Sequence, residues 1–428
     1  MRNIIVNGFE YLKKLESKIA FYPTVYSLFG VIFAFFMYYV ENKGISAYLM
    51  DHVPLLVINN TATAFNILTT FIAGLISIMV FSFSMVMVLL NQASSNFSPR
   101  VLPGLISNKR HQKILGIYNA TLLYCIFTMV SIEPDGDKYQ LPGFSVLLAI
   151  VLMVVCLGAF IYFIHSISQE IQVHNIMQRI FSEAKNRLDK LITSEKNSSN
   201  KFPETEKWTT FKSVSTGFLQ DIILEPVLEF AKNNECKFHV LAVKGQYVYK
   251  DKPLFKCSMK LEAEALEDVL SFFQFSRDEV IDDNYVLGFK QITEIAVKAM
   301  SPGINDPGTT EIAIDYLTEL FEKRMQKQDV SILQHNNDSL VKINTVSFKT
   351  LLFFVLAPIR TYVKHDVVVV IKLIHMLNHL AFNVNSKNNS YVNAIKVEAS
   401  KLFEDAKGAI SNEADLKLIT QHLSAFNL

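Results

Sequence analysis

Hydrophobic residues follow two different patterns along this chain. Up to about residue 168 they form long, nearly uninterrupted runs; beyond Gln169 they recur in short periodic groups set between charges. Four of the runs, at about 22–40, 64–90, 114–132 and 144–164, each approach or exceed the roughly 20 apolar residues that cross a bilayer core. They predict four transmembrane helices. After the fourth, Ile167, Ile171, Ile176, Ile180 and Leu188 carry an amphipathic helix on through His165–Lys190. The polar stretch Thr193–Asn200 (TSEKNSSN) then reads as a solvated linker. The boundary it marks divides the chain into a transmembrane domain, 1–192, and a cytosolic α/β domain, 200–428.

The second half opens with alternating residues and turn signals. A strand through Ser215–Ile222 precedes a helix through Glu225–Lys232. Strands Lys237–Val243 and Tyr247–Tyr249 flank Lys244-Gly245-Gln246, and Pro253–Lys256 adds another. Helical periodicity follows in Leu261–Phe273, Tyr285–Met300, Pro307–Arg324, Phe348–Val363, His365–Phe382 and Tyr391–Lys407. The expected fold class is therefore a membrane protein, four transmembrane helices followed by a cytosolic α/β domain with a small sheet and several helices.

Composition agrees with that division. Half of the 428 residues are apolar and only 19% are charged, against about 25% in a typical soluble protein. The net charge of +1 gives no sign of a nucleic-acid partner. Charge placement sets a direction. The segment before the first span carries Arg2, Lys13, Lys14 and Lys18, and the next loop has Lys43. The loop after the second span has Arg100, Lys109, Arg110 and Lys113, whereas the one after the third has Lys138 beside Glu133, Asp135 and Asp137. Basic residues thus alternate between rich and poor loops, which predicts cytosolic N- and C-termini.

The second span differs from the others. A helix over 64–90 would be about 40 Å long, more than a bilayer core needs. Its polar residues also fall in register: Thr63, Thr70, Ser77, Ser84, Asn91 and Ser98 recur every seventh position, on one slowly drifting face. Two readings are open. Small polar residues can act as glue between closely packed helices. Alternatively, copies of the chain turn the seam toward a common water-filled axis, with Thr70, Ser77, Ser84 and Asn91 lining it. No ionisable residue lies inside a span, which argues against a proton-coupled or voltage-sensing device but not against a passive path. Just beyond, Ser98 and Pro99 fit a helix start, and Arg100 reads as a phospholipid anchor at the membrane surface.

One loop of the polar half carries candidate binding groups: Ser301-Pro302-Gly303-Ile304-Asn305-Asp306-Pro307-Gly308-Thr309-Thr310. Asp306 fits a helix N-cap with Pro307 as the first helical residue, leaving amides near Gly308 and Thr309 for an anion. Asn305 and Asp306 could instead offer oxygens to a cation, although two ligands fall short of a site. His375 and His379 have metal-compatible spacing, but the Glu of HExxH and a third ligand are missing. The four cysteines, Cys125, Cys156, Cys236 and Cys257, form no CxxC pair and read as packed thiols. No phosphate-binding loop, dinucleotide fingerprint or nucleophile elbow is present. No catalytic residue, metal or cofactor is therefore expected, and the chain is read as a non-enzyme.

The segments Phe81–Arg100 (FSFSMVMVLLNQASSNFSPR), Leu115–Tyr124 (LGIYNATLLY) and Gln291–Thr310 (QITEIAVKAMSPGINDPGTT) resemble the bacterial predicted membrane proteins grouped as domain-of-unknown-function family 2254. Ser-Pro-Gly-Ile-Asn-Asp-Pro is the most specific of the matching pieces. The resemblance extends over nearly the whole chain and implies a bacterial cytoplasmic membrane location. It brings no established activity and no family site residues. Lys298 stands where the family pattern has an arginine, and Gly308 where it has a bulkier residue; loss of a guanidinium fork would weaken an anion site at that turn. The leading expectation is a homo-oligomeric ion or small-solute channel with a cytosolic gating domain, its partners the lipid bilayer, further copies of itself and a small ion or anion. The alternative is a membrane-anchored sensor or scaffold whose cytosolic domain binds a ligand or protein near Asn305 and Asp306.

Overall fold

The computed structural model describes residues 20–53, 57–96, 109–132, 142–170, 172–195, 202–277, 284–335, 338–384 and 389–424. It falls into two compact units that meet in sequence at Asn175 and Ile176.

The first unit holds helices α1 (Phe21–Asn42), α2 (Ile45–His52), α3 (Thr61–Asn96), α4 (Lys109–Val130) and α5 (Gly143–Glu170). All but α2 are long and apolar enough to cross a membrane. The short α2 is an element that the hydrophobic pattern did not predict. It follows Gly44, whose φ of +86° suits a residue without a Cβ. The second apolar helix starts earlier than its apolar run, because Asn60 caps it: the Asn60 side-chain oxygen accepts from the Thr63 amide at 2.9 Å. At 36 residues it is longer than the run suggested, about 54 Å end to end.

Small residues set the packing of this unit. A Cβ on Gly30 would come within 2.5 Å of the Ala120 carbonyl oxygen, so α1 and α4 touch backbone to backbone. Gly116 gives the same approach to the Tyr26 ring. Close contact through glycine is how helices gain dispersion energy where the solvent is itself apolar. The core is completed by Leu68, Leu75, Tyr118, Tyr124, Val146 and Phe163.

The expected continuous helix after the fourth span is instead two helices, α5 and α6 (Val173–Glu195). The Asn175 side chain donates to the Gln169 carbonyl at 2.7 Å, so a side chain takes a carbonyl that a continuing helix would have bonded.

The second unit begins within α6 and has eight described strands. They are β1 (Thr209–Lys212), β2 (Gly217–Ile222), β3 (Phe238–Val240), β4 (Tyr247–Val248), β5 (Pro253–Cys257), β6 (Phe273–Ser276), β7 (Val330–His335) and β8 (Asp338–Asn344). One sheet has the order β1-β5-β3-β8-β7, parallel only at β3–β8; a second, antiparallel throughout, runs β4-β2-β6. Helices α7 (Leu224–Asn233) and α8 (Ala263–Ser271) accompany them over a core of Leu219, Phe238, Phe255 and Val269. The remainder is helical: α9 (Tyr285–Ala299), α10 (Pro307–Arg324), α11 (Phe348–Val363), α12 (Val367–Asn383), α13 (Asn389–Ala409) and α14 (Glu413–Ser424). A chain of aromatic contacts, Phe289–Phe321 at 4.7 Å, Phe321–Phe348 at 5.8 Å and Phe348–Tyr391 at 4.4 Å, ties α9, α10, α11 and α13 together. Helix α6 packs on this group, with the Ala184 methyl seated where Gly288 has no side chain.

Candidate functional site

The seven-residue seam of α3 lies on the outside of its own bundle. Thr70, Ser77, Ser84 and Asn91 are all exposed. The face that α3 buries is a second heptad series: Leu68, Leu75, Ser82 and Leu89. The two series differ by two positions, which is about 200° around an α-helix and therefore the opposite side. This corrects one form of the glue reading. Among the described residues the seam faces no other helix of this chain; the small polar residue of α3 that does so is Ser82, buried against Tyr118.

Each seam hydroxyl is also oriented. Thr70 Oγ1 donates to the Asn66 carbonyl at 2.8 Å, Ser77 Oγ to Ala73 at 2.9 Å and Ser84 Oγ to Val80 at 2.9 Å. With the proton turned back onto the helix, these oxygens present lone pairs outward. Ser98 and Arg100 lie outside the described residues, so the anchor assigned to Arg100 gains no geometry.

Glu41, at the end of α1, was not singled out from the sequence. Its carboxylate accepts from the Ser145 amide and the Ser145 hydroxyl, each at 2.8 Å, and from the Ser46 hydroxyl at 2.5 Å. It thereby caps the start of α5 from another helix, an arrangement favoured by the helix dipole. An acid directly after an apolar run was the available signal.

The turn before α10 has the geometry its sequence implies. Asp306 is the N-cap and Pro307 the first helical residue. The Thr309 amide and hydroxyl both donate to the Asp306 carboxylate, at 3.0 and 2.6 Å, so the expected free amide at Thr309 is taken by the chain's own cap. Asn305 holds φ at +49°, a conformation that asparagine tolerates better than most residues. A Cβ at Gly308 would meet only Asp306 Oδ1, at 3.5 Å, so a bulkier residue would fit there. The turn brings Asn305, Asp306, Gly308 and Thr309 together as a self-satisfied helix start.

The two histidines of α12 go to different partners: His375 Nε2 lies 3.1 Å from His422 Nδ1, and His379 Nε2 lies 3.6 Å from the Glu322 carboxylate. Among the described residues no group of His, Cys, Asp or Glu could hold a metal ion. All four cysteines are free and buried. Two are neighbours despite their separation in sequence: a thiol hydrogen bond between Cys236 and Cys257 draws the pKa of Cys257 down to about 7, while the same hydrogen bond and burial raise that of Cys236.

A cluster of buried charge was likewise invisible in the sequence. Arg324, fully buried, donates through Nη1 to the Lys327 carbonyl at 2.8 Å and through Nη2 to Asp329 Oδ1 at 2.6 Å and the Val346 carbonyl at 2.7 Å. Asp329 also accepts from Tyr391 and from the Phe348 amide. Lys327, 1% exposed, pairs with Glu195 at 2.8 Å. Burial lowers the Lys327 pKa, and Glu195 opposes that shift.

The family described as "Predicted membrane protein (DUF2254)" matches residues 16–379. An uncharacterized protein of Mycobacterium tuberculosis (strain CDC 1551 / Oshkosh) is 23% identical over 353 residues, covering 79% of this chain and 67% of its own. An uncharacterized protein of Mycobacterium bovis (strain ATCC BAA-935 / AF2122/97) matches with the same identity and coverage. No solved structure gives a significant match. With four apolar helices ahead of an α/β unit and a family match over most of its length, the chain belongs to the predicted membrane proteins of domain-of-unknown-function family 2254.

Proposed function

We propose that this protein is a homo-oligomeric channel for an ion or small solute in a bacterial cytoplasmic membrane. The α3 seam lines its path, and the α/β unit lies in the cytosol as the gate. The observation that carries the proposal is the direction of the seam. A polar stripe turned away from its own bundle would face lipid in a monomer, where hydroxyls gain nothing. Association of α3 helices about an axis would give it water instead. The back-bonded hydroxyls of Thr70, Ser77 and Ser84 would then line the path with acceptor oxygens, as a hydrated cation requires. Uncharged spans fit a passive path, and the alternation of Lys and Arg along the loops supports cytosolic termini.

The test is to reconstitute Ser77→Cys and Ser84→Cys in planar bilayers. The proposal expects single-channel currents that a water-soluble methanethiosulfonate reagent blocks in both variants. Silent bilayers, with both cysteines inaccessible to that reagent, would overturn it.

A further inference from the structure

Helix α14 is held to the second unit by little. Of its 12 residues only Ile419 is buried, and it packs on α12 and α13. Among the described residues, two side-chain hydrogen bonds join it to α12, and both end on His422. His375 Nε2 lies 3.1 Å from His422 Nδ1, and Asn378 Nδ2 donates to the His422 carbonyl at 3.3 Å. The two imidazole rings sit 4.9 Å apart, edge to face. Across the connector 410–412, α14 keeps its own cap: Asn412 Oδ1 accepts from the Ala414 amide at 2.9 Å.

Two imidazoles in this geometry tolerate one added proton but not two. With both rings neutral, one facing nitrogen donates to the other, and a first proton can settle on an outward nitrogen and leave that bond in place. A second puts an N–H on both facing nitrogens, so the bond is lost and two like charges meet. Among the described residues no carboxylate lies within ion-pair distance of either ring. The acids of the neighbouring helices are engaged elsewhere: Asp315 with Lys372 at 2.6 Å, Glu322 with His379 at 3.6 Å, Glu398 with Lys401 at 2.8 Å and Asp405 with Arg360 at 2.7 Å. On α14, Asp415 stands seven residues before His422, about 10 Å along the axis, where salt largely screens it. Glu404 and Glu413 are exposed, and Lys372, Lys396, Lys407 and Lys417 add only positive charge.

We propose that α14 is a pH-sensitive strap, docked while the His375–His422 pair carries at most one added proton and released when both rings are charged. His375 is exposed, so protons reach the pair directly. Burial, His422 and Lys372, in that order, lower the His375 pKa. A folded-state value below the unfolded one of about 6.5 makes the strap's contribution complete near neutrality and lost as pH falls through the folded value. Once released, a helix of 12 residues is too short to keep its hydrogen bonds alone, so its amides open to solvent. This device does not depend on what the α3 seam lines.

The test is hydrogen–deuterium exchange of the purified full-length chain at pH 7 and pH 5, each rate divided by the intrinsic rate at that pH. Protection of α14 should fall about tenfold between the two, the change that one pKa unit brings, while that of α10 holds. His375→Gln and His422→Gln, neither of which can take a charge, should each keep α14 protection within about twofold over the same range. Where a variant already opens α14 at pH 7, a ring-proton NMR titration of the wild type decides: the His375 signal, identified by its loss in His375→Gln, should shift at the midpoint of the exchange change. No fall in wild-type protection would overturn the proposal, as would a fall that persists in either variant or that α10 shares, or a His375 midpoint separate from that of the exchange.

Discussion

Replacing Arg324 by methionine tests whether the buried charge cluster holds the second unit together. The substitution conserves much of the stem volume and removes every donor. It leaves the Lys327 and Val346 carbonyls without the bonds they receive at 2.8 and 2.7 Å, and it strips Asp329 of its 2.6 Å partner. An orphaned buried acceptor costs about 1–3 kcal/mol, but Asp329 keeps the Tyr391 hydroxyl and the Phe348 amide, and its side chain is 36% exposed. The expected loss is therefore mainly that of the two orphaned carbonyls, about 2–6 kcal/mol in all. For a unit of this size that lowers the unfolding temperature by about 10 °C. Trp208, the only tryptophan, lies in the second unit at the approach to β1, so its fluorescence follows this unit within the full-length chain. Arg324→Lys, which keeps the charge but not the planar fork, should lose less. The double variant Arg324→Met, Asp329→Asn should lose less than the sum of the two single ones. A cost below about 1 kcal/mol for Arg324→Met, with additive single variants, would refute the cluster as an anchor.

Two further outcomes follow from particular contacts. Gly30→Leu forces a side chain into the Ala120 backbone and should separate α1 from α4; overpacking of this kind costs about 1–3 kcal/mol or more, read as a lower midpoint in detergent unfolding, whereas the same change at Gly158, where a Cβ meets nothing, should be silent. His239 sits between the Thr205 hydroxyl at 2.7 Å and Asn344 Oδ1 at 3.0 Å, and burial lowers its pKa against the opposing Asn344 bond. Because the folded-state value lies below the unfolded one of about 6.5, the unfolded chain binds the proton first. The contribution is complete above that pH and is lost as pH falls through the folded value. Trp208-monitored unfolding should weaken on acidification, and His239→Gln should flatten that slope.

The four apolar helices were legible because each is an uninterrupted run, and the later helices from Tyr285 to Lys407 because their periodicity is clean. The break between α5 and α6 was not, since neither glycine nor proline marks it; a single Asn175 bond replaces a backbone one. Strands β7 and β8 leave no clear pattern in the sequence because Gln334, His335, Asp338 and Lys342 dilute the alternation and the whole of β7, at the sheet edge, is at most half-buried. Arg324 and Lys327 look like ordinary charges at a helix end; only the packing of α6, α11 and α13 around them makes them buried. The seam of α3 was readable as a face, but not its direction, because two heptad series run along the same helix and only the neighbouring helices decide between them.

The carboxylate of Glu41 bears on the order in which the first unit is completed. Its partner Ser145 lies 104 residues further along the chain, so during synthesis the acid waits while the two intervening apolar helices are made. At the end of α1 it has Ser46 close by before the last apolar helix presents its first turn. The cap is therefore a closing clasp in the chain's own order: placed just past the first apolar run, it can form only once the fourth apolar helix has been made.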